Sequence, residues 1–403
     1  MQALEGVKVL DFSWIVAGPT ATKVMGDYGA TVIKVEGTTR HDVTRTAYSV
    51  WVGGIPGMNR SGLFAWYNSS KYGITLNLNN PSSKEVARRL VDWSDIVVEN
   101  FTPGTMTRWG LDYNSLKRIK PDVIMISASM EGQTGPRATQ PGFGTMLQAG
   151  AGFTNFIGWP DRGPVGLSIM YTDFVAPWFM VIAAMVSLEH RRQSGEGQYI
   201  DLSQMEASIP FLSSAILNYV ANGQIETASG NRSSEYCPHG VYRCCGEDRW
   251  CAIAIYSDEE WRAFCSVMGD LPWAIDPRFF TLQNRKENED ELDKLIETWT
   301  VGQEAEGVMH RLQAKGVAAG IIENGNDCLE ADPQLKHRHH FLEVDHPEMG
   351  AHLSESSSFI LSKTPINVRR SPCLGEHNEF VCTQILNMSD EEFIKTLAEG
   401  AFG

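Results

Sequence analysis

The sequence predicts an α/β protein in which a parallel sheet carries helices on both faces and a smaller α+β unit interrupts the chain. Strand-like and helix-like segments alternate over the first 200 residues or so, as they do in parallel sheets. A small, polar stretch at 227–235 (TASGNRSSE) then has the composition of a linker. From residue 332 the chain is again rich in strand and turn signals.

The strands are predicted from short apolar runs rich in Val and Ile. In the first part of the chain they cover 7–13, 31–36, 74–78, 95–100, 123–128 and 199–203. A hairpin is predicted further on, where the sequence VYRCCGEDRWCAIAI turns at residues 246–248.

Helices are predicted between these strands. Residues 81–93 (PSSKEVARRLVDW) form an amphipathic pattern with proline at its first position. Other helices are predicted at 19–26, from 173 to about 192, at 205–222, at 287–298 and from about 389. The apolar run 174–188 contains Pro177 and is shorter than the roughly 20 residues that a membrane span needs, which indicates a buried helix. We therefore expect a soluble, cytoplasmic chain with no membrane partner.

The composition excludes some classes of function. The chain has 403 residues and a formal net charge of −15, which argues against non-specific nucleic-acid binding. Its eight cysteines include no C-x-x-C pair, so a zinc framework is not indicated. The basic cluster 337–340 (HRHH) lacks carboxylates at ligand spacing and is interpreted as a surface feature. We expect no metal.

The usual nucleotide-binding motifs are missing from the predicted sheet. The first strand–helix turn reads SWIVAGPTATKVMG and contains no G-x-G-x-x-G, and no P-loop occurs elsewhere. The sheet is therefore expected to bind something other than NAD or ATP in the usual way.

Asp173 has a position that allows two interpretations. It precedes the long apolar helix, so it is either a helix N-cap or a catalytic carboxylate. The two roles are compatible, since the positive end of a helix stabilises the ionised form that a carboxylate nucleophile requires.

Several segments together resemble the class III CoA-transferases, the CaiB/BaiF family that includes formyl-CoA transferase. The opening EGVKVLDFSWIVAGPTATKVMGDYGATVIKVE is similar to the family's N-terminus, and Asp42 and Arg45 follow at the expected interval. SKYGITLNL, DIVVENFTPGTMTRWGLDY, EGQTGP, LEHRRQSGEGQYIDLSQMEA and LGEH follow in the family's order. The resemblance covers nearly the whole chain.

The resemblance implies a particular architecture. A large Rossmann-like domain is built from both chain ends, a small domain lies between them, and two subunits interlock like links of a chain. On this chain the boundaries fall at 1–226 and 331–403 for the large domain and 227–330 for the small one.

The resemblance also implies the site residues. The family's catalytic aspartate falls on Asp173, and the active-site turn falls on Val16 and Ala17, where backbone N–H groups can hold oxyanions. The remaining positions expected to bind CoA are Arg40, Leu76, Asn100, Phe101, Thr105 and Arg108. Arg108 is a candidate phosphate contact because a guanidinium binds phosphate oxygens in pairs.

Departures from formyl-CoA transferase argue against formyl-CoA or oxalate as substrate. Val16 stands where formyl-CoA transferase has a glutamine, and Gly37 stands where it has an arginine. Arg40, three residues later, is interpreted as a replacement for that arginine. The glycine-rich loop that covers the formyl-CoA transferase site is not present. Trp14, Phe143, Phe153, Phe156 and Trp159 are either core residues or the wall of a pocket for a bulky acyl group. The expected substrates are an acyl-CoA donor, succinyl-CoA, and an aromatic or branched dicarboxylate such as benzylsuccinate. No tightly bound cofactor is expected, since coenzyme A enters as a thioester substrate.

Two alternatives remain at this point. An alpha-methylacyl-CoA racemase needs a histidine and a supporting glutamate, but this chain has Phe143 and Arg243 at or near those positions. Alternatively, the chain is a non-catalytic CoA-binding subunit of a hetero-oligomer, because YTDF is atypical and Gly144 stands where an acidic residue is usual. The expected assembly is thus a homodimer or a heterodimer with a homologous subunit.

Overall fold

The computed structural model describes residues 1–48, 50–269 and 271–403. Its main feature is a six-stranded, all-parallel sheet with the order β3-β2-β1-β4-β5-β6. These strands are β1 (Lys8–Asp11), β2 (Thr31–Glu36), β3 (Lys71–Thr75), β4 (Ile96–Glu99), β5 (Ile124–Ser129) and β6 (Tyr199–Ser203).

The strand order places a switch point between β1 and β4. The chain winds from β1 outward to β2 and β3, then returns to β4 on the other side of β1. In open parallel sheets, ligands bind at such a point, outside the carboxyl ends of the strands. Five of the predicted strands agree with these strands to within a few residues, but the prediction at 74–78 is wrong in position. Leu76 and Leu78 remain buried after β3 ends, so the apolar alternation continues beyond the strand.

The remaining strands form two antiparallel sheets. β7 (His239–Arg243), β8 (Trp250–Ala254) and β9 (Ala318–Ile321) make a three-stranded sheet, and β10 (Phe341–His346) pairs with β11 (Gly350–Glu355). The β7–β8 pair confirms the predicted hairpin. The mixed α/β class, with a parallel sheet and a smaller antiparallel one, is therefore confirmed.

Most α-helices connect or cover the strands. They are α1 (Ala17–Asp27), α2 (Gly62–Tyr67), α3 (Pro81–Trp93), α4 (Thr105–Trp109), α5 (Tyr113–Ile119), α6 (Gly144–Gly150), α7 (Phe153–Phe156), α8 (Tyr171–Ser194), α9 (Gln204–Ser208), α10 (Ser213–Asn222), α11 (Asp258–Met268), α12 (Leu282–Glu287), α13 (Glu289–Thr300), α14 (Ala305–Gln313), α15 (Gly325–Glu330), α16 (Pro333–His337), α17 (Asn378–Phe380) and α18 (Asp390–Ala398).

Helix α3 shows how local sequence sets these boundaries. It spans the predicted residues, begins with Pro81, and is capped by Asn80, whose side chain accepts the Ser82 N–H at 2.8 Å. By contrast, the predicted helix 205–222 is interrupted by a 3₁₀ segment, Ile209–Leu212, that contains Pro210. Proline cannot donate a helical hydrogen bond, and the break separates α9 from α10.

The two faces of the parallel sheet bury separate apolar clusters. Leu10 and Ile33 pack with α3 on one face, whereas Val9 and Val32 pack with α1 and α8 on the other. The alternation follows from the period of two along a strand. Each fully buried side chain of this kind stabilises the fold by roughly 1.5–3 kcal/mol.

Helix α8 combines a buried and an exposed apolar face. By length and composition it is the one helix in the described part of the chain that could cross a membrane, a criterion that core helices of globular proteins also meet. Its inward face packs against α1 and β5, with Ala176 and Met180 fully buried. On another side Trp178, Ile182 and Val186, each four residues apart, are exposed.

The chain folds as two compact units. One comprises residues 1–154, 166–225 and 334–403, and contains the parallel sheet. The other comprises 155–165 and 226–333, with β7, β8 and β9 and its own core around Trp261, Phe264 and Phe279. The domain boundaries given above, at 226/227 and 330/331, and the interlocked dimer stay predictions.

Candidate active site

Two cavities lie at the carboxyl ends of β1 and β4, at the switch point of the sheet. The Asp173 cavity has a volume of about 280 Å³ and is bordered by the 13–17 turn, the 100–105 loop and the start of α8. The Arg108 cavity has a volume of about 460 Å³ and is bordered by the 36–40 loop, the 76–79 segment and α4. Trp14, Phe101 and Thr105 line both.

The structure brings the predicted site residues together in these two cavities. The Asp173 cavity is lined by Val16, Ala17, Asn100, Phe101, Thr105 and Asp173 among others. The Arg108 cavity is lined by Arg40, Leu76, Phe101, Thr105 and Arg108 among others.

Asp173 is the third residue of α8 and lies in its first turn. Met170, not Asp173, occupies the N-cap position, so the N-cap interpretation is wrong. The Asp173 side chain is half-buried, and within the described residues no group donates a hydrogen bond to its carboxylate. Because partial burial disfavours the charged form, the pKa of Asp173 is raised from 3.8 to about 6. With a pKa of about 6 the carboxylate is mostly ionised at neutral pH, and the described residues offer it no hydrogen-bond donor.

Gly144, the first residue of α6, allows the Asp173 carboxylate its position. A Cβ atom at residue 144 would lie 2.6 Å from Asp173 Oδ2 and 2.6 Å from Met170 Cβ. No real side chain could occupy that space without moving its neighbours. Gly144 is therefore in direct contact with Asp173.

The 13–17 turn, which follows β1, is held by side chains from other elements. The Ser13 N–H donates to Asp11 Oδ1 at 2.9 Å, and Lys34 Nζ donates to the Ser13 carbonyl at 2.7 Å. Asn100 contacts the next residue twice: its Oδ1 accepts the Trp14 N–H at 2.8 Å and its Nδ2 donates to the Trp14 carbonyl at 2.7 Å.

Ile15, the next residue, has a φ of 73°, in the left-handed region that β-branched residues rarely adopt. Its N–H lies 3.2 Å from each carboxylate oxygen of Asp42, which is fully buried. After Ile15 the chain enters α1. In the described part of the chain, the N–H groups of Val16, Ala17 and Gly18 have no protein acceptor. Those of Val16 and Ala17 belong to residues that line the Asp173 cavity.

Buried ion pairs lie beneath the turn. Lys71 Nζ is 3.0 Å from Asp11 Oδ2 and Lys34 Nζ is 3.1 Å from Asp42 Oδ2, with all four side chains fully buried. Burial opposes ionisation of Asp11, but Lys71 and Lys34, with two hydroxyl donors, outweigh it and lower the pKa of Asp11 to about 2. Asp11 is therefore a structural anion throughout the physiological range.

Glu99 supports the 100–105 loop from the end of β4. Its Oε2 accepts the Phe101 N–H at 2.8 Å, and its side chain is almost fully buried. Burial raises the pKa of Glu99 to about 7. Phe101 makes edge-to-face contacts with Trp14 and Trp109, with ring centroids 5.5 and 5.4 Å apart.

The Arg108 cavity combines cationic and apolar groups. Arg108 donates to Thr105 Oγ1 at 2.9 Å, and neither Arg108 nor Arg40 forms an ion pair within the described residues. Both are exposed, while Leu76 beside them is buried. The Arg40 carbonyl accepts the Gly37 N–H at 3.0 Å, so a tight turn places Arg40 at the cavity edge. This arrangement suits a ligand with phosphates and a flat ring.

Of the five aromatic residues considered for an acyl pocket, Trp14 and Phe143 line the Asp173 cavity. Phe153 instead packs in the core against Tyr171, with ring centroids 5.1 Å apart. Trp159 belongs to the second unit, where its ring covers Gly230. Residues that the sequence did not single out complete the Asp173 cavity, namely Met130, Met170, Thr102, Ser129 and Gln204.

The pattern for CoA-transferase family III matches residues 4–378 of the chain. The chain belongs to CoA-transferase family III. It is 33% identical to succinyl-CoA–D-citramalate CoA-transferase of Chloroflexus aurantiacus, over 96% of this chain and 95% of that one. It is 29% identical to the beta subunit of succinyl-CoA–L-malate CoA-transferase of the same organism, over 96% and 95% of the two chains.

A solved structure agrees with this assignment. A CaiB/BaiF family protein from Brucella suis superposes with a TM-score of 0.87 at 31% identity, over 95% of this chain and 99% of that one. The chain is therefore a class III CoA-transferase, as the resemblance indicated. The racemase alternative requires a histidine beside the aspartate. Among the described residues that line the Asp173 cavity, Phe143 is present and histidine is not.

Proposed function

We propose that this enzyme transfers coenzyme A from succinyl-CoA to a second carboxylic acid, with Asp173 as the nucleophile. The observation that carries the proposal is that one cavity holds both the Asp173 carboxylate and the N–H groups of Val16 and Ala17, none of which has a hydrogen-bond partner among the described residues. A nucleophile and an oxyanion site are the two groups that acyl transfer requires.

The first half of the reaction loads the enzyme. An Asp173 oxygen attacks the thioester carbonyl, the C–S bond breaks, and CoA leaves as a thiolate from a mixed anhydride. The thiolate then attacks Asp173 Cγ, the anhydride C–O bond breaks, and the donor acid departs as a carboxylate. Asp173 is left as a CoA thioester. The N–H groups of Val16 and Ala17 stabilise the oxyanion that forms during these steps.

The second half reverses these steps with the acceptor. Its carboxylate attacks Asp173 Cγ and displaces the CoA thiolate, which gives a second mixed anhydride. The thiolate attacks the acceptor's carbonyl, so the new acyl-CoA leaves and the Asp173 carboxylate is regenerated. Electrons and atoms balance without a redox partner or tightly bound cofactor.

The nucleotide of CoA is assigned to the Arg108 cavity. Arg40 and Arg108 would bind its phosphates, and Leu76 and Phe101 would contact its flat or apolar parts. Asn100 acts less directly, through its two hydrogen bonds to Trp14.

The donor and acceptor are proposed from two observations. Two relatives carry succinyl-CoA in their names. The Asp173 cavity has Trp14, Phe143, Met130 and Met170 in its lining, which offers apolar contact for a bulky group. We therefore propose an aromatic or branched dicarboxylate as the acceptor, of which benzylsuccinate is an example.

Trapping of the acyl-enzyme tests the nucleophile. The purified chain is incubated with succinyl-CoA and hydroxylamine, and the modified peptide is mapped by mass spectrometry. We expect a hydroxamate at residue 173 that is missing in Asp173→Asn. An unmodified Asp173 in a chain that still binds CoA would contradict the proposal for this chain alone.

A second chain is the proposed partner. Trp178, Ile182 and Val186 form an exposed apolar stripe on α8, and Leu217 and Val220 are exposed on α10, so each helix offers apolar area that pairing would cover. We propose that two chains form the interlocked dimer and that the dimer is located in the cytoplasm. Light scattering of the wild type should give the molar mass of a dimer that persists on dilution, because interlocked subunits separate only when they unfold, and a monomeric wild type would contradict the assignment.

A heteromer is the second candidate. One relative is named as a beta subunit, and Gly144 departs from the family pattern beside Asp173. A chain that binds CoA but forms a hydroxamate only when a homologous chain is added would favour this arrangement over the homodimer.

A further inference from the structure

We infer that Asp42 is a positioning residue, whose carboxylate holds Ile15 in the left-handed region and so directs the N–H groups of Val16 and Ala17 into the Asp173 cavity. The inference rests on the proposed function for its chemistry. The claim that Asp42 holds the conformation of Ile15 rests only on the contacts of the 13–17 turn.

The backbone conformation of Ile15 needs an external cause. A φ of 73° brings a β-branched side chain into conflict with its own backbone, and such conformations persist only where the surroundings over-determine them. Neighbouring Gly18 has a different constraint, since a Cβ there would lie 2.2 Å from Ser13 Cβ. The strained residue Ile15 therefore lies in a closely packed segment of the backbone.

Asp42 supplies that cause. Both of its oxygens lie 3.2 Å from the Ile15 N–H, and Oδ1 also accepts from the Thr44 N–H and hydroxyl at 3.0 and 2.8 Å. Oδ2 accepts from Lys34 Nζ at 3.1 Å. A buried carboxylate fixed by four donors is a rigid acceptor, and hydrogen bonds to a charged acceptor are stronger than neutral ones.

The same contacts explain why an amide would not serve. Asparagine at residue 42 replaces one acceptor oxygen with an N–H₂ group, which would face Lys34 or the Thr44 donors. The backbone N–H of Asp42 is itself held by Glu36 Oε1 at 3.0 Å, so the side chain cannot shift far to compensate. The Ile15 N–H would then lose the charged, two-oxygen acceptor that forms its tether and keep one neutral amide oxygen at most, which is a weaker acceptor.

The consequence for catalysis is specific. Without the tether, Ile15 relaxes to an ordinary φ, the chain enters α1 in a different direction, and the Val16 and Ala17 N–H groups leave the oxyanion position. The acylation rate falls while CoA binding, which uses the Arg108 cavity, is retained.

The test compares glycine and alanine at residue 15 in two backgrounds. Asp42→Asn should lower kcat for succinyl-CoA by about 10- to 100-fold, with KM within about twofold. In the Asp42→Asn background, Ile15→Gly should raise kcat by at least about tenfold, since glycine adopts positive φ freely. Ile15→Ala in the same background should leave kcat at its reduced value. Equal activity of the two double variants would overturn the inference, as would a rise in KM with kcat unchanged.

A stability measurement keeps the inference testable if Asp42→Asn does not fold. In the Asp42 background, Ile15→Gly should unfold at a higher temperature than Ile15→Ala, the reverse of the usual order. An alanine variant as stable as the glycine variant would show that residue 15 is not held at positive φ, and would overturn the inference. Hydroxamate mapping on the same samples separates the two proposals, because a wild type without a hydroxamate at Asp173 contradicts the nucleophile and leaves the stability comparison valid.

Discussion

The 13–17 turn and the first turn of α8 border the same cavity but are held by different interactions. The N–H groups of three successive residues of the turn donate to the side chains of Asp11, Asn100 and Asp42, and buried ion pairs lie beneath the turn. The Asp173 carboxylate has no hydrogen-bond donor among the described residues. Under the proposed mechanism, the turn that presents N–H dipoles in a fixed direction is rigidly supported, whereas the carboxylate that forms and breaks covalent bonds has no such support.

The largest expected effect is on stability, and it should differ between the 13–17 turn and the first turn of α8. Asp11→Asn should lower the free energy of unfolding by roughly 3–5 kcal/mol, since it leaves Lys71 buried without its partner. Asp173→Asn should leave the stability unchanged or raise it at pH 8. The folded pKa of about 6 exceeds the unfolded value of 3.8, so the ionised carboxylate disfavours the folded state above pH 6.

Urea unfolding at pH 8 checks both variants. A loss above about 1 kcal/mol in Asp173→Asn would mean that the carboxylate has a structural partner, and the contrast with the turn would then fail.

The next effect concerns the space that the nucleophile occupies. Gly144→Ala should lower kcat by about 10- to 100-fold, because the new Cβ would displace the Asp173 carboxylate from its position. Gly150→Ala, in the same helix and with nothing within 4 Å of the added Cβ, is the matched control and should leave kcat unchanged. Equal activity of the two variants would show that the carboxylate can move without loss.

The pH dependence tests which carboxyl group limits the reaction. Because Asp173 must be ionised to attack, kcat/KM for succinyl-CoA should fall about tenfold for each pH unit below about 6 and level off above it. Glu99, with a pKa of about 7, is the competing group. Glu99→Gln mimics its protonated form, so the acidic limb should stay near pH 6 in this variant. A limb that disappears would assign it to Glu99.

The smallest effect concerns the nucleotide end. Arg108→Gln should raise KM for succinyl-CoA about tenfold with kcat unchanged, since it removes the proposed phosphate contact, which lies away from the reacting bond. Arg118→Gln, an exposed arginine of α5 outside both cavities, is the control. An effect on kcat rather than KM would mean that the Arg108 cavity is coupled to the geometry of the turn.

Much of the sheet could be predicted from the sequence because its strands are short apolar runs between clear helix signals. β2 and β6 agree residue for residue, and α3 begins at its predicted proline. The third strand was misplaced because Leu76 and Leu78 remain buried beyond the sheet. An alternation of apolar residues in the sequence does not distinguish a strand from an extended segment that packs in the same core.

The candidate site was predictable only in part. Asp173 and the positions expected to contact CoA were inferred from the family resemblance, and they lie in two cavities that share a wall. The conformation of Ile15 could not be predicted, since isoleucine is among the residues least expected at positive φ. The contact of Gly144 with Asp173 could not be predicted either, because it joins two helices that are distant along the chain.

The wall shared by the two cavities bears on how acid preference could be redesigned. Trp14, Phe101 and Thr105 line both cavities, so under the proposed function a substitution at any of them would alter the recognition of coenzyme A and of the acid together. Met130 and Met170 line the Asp173 cavity alone, and methionine is the apolar residue most tolerant of replacement. A library that varies these two methionines would explore new acids while the handling of coenzyme A stays constant.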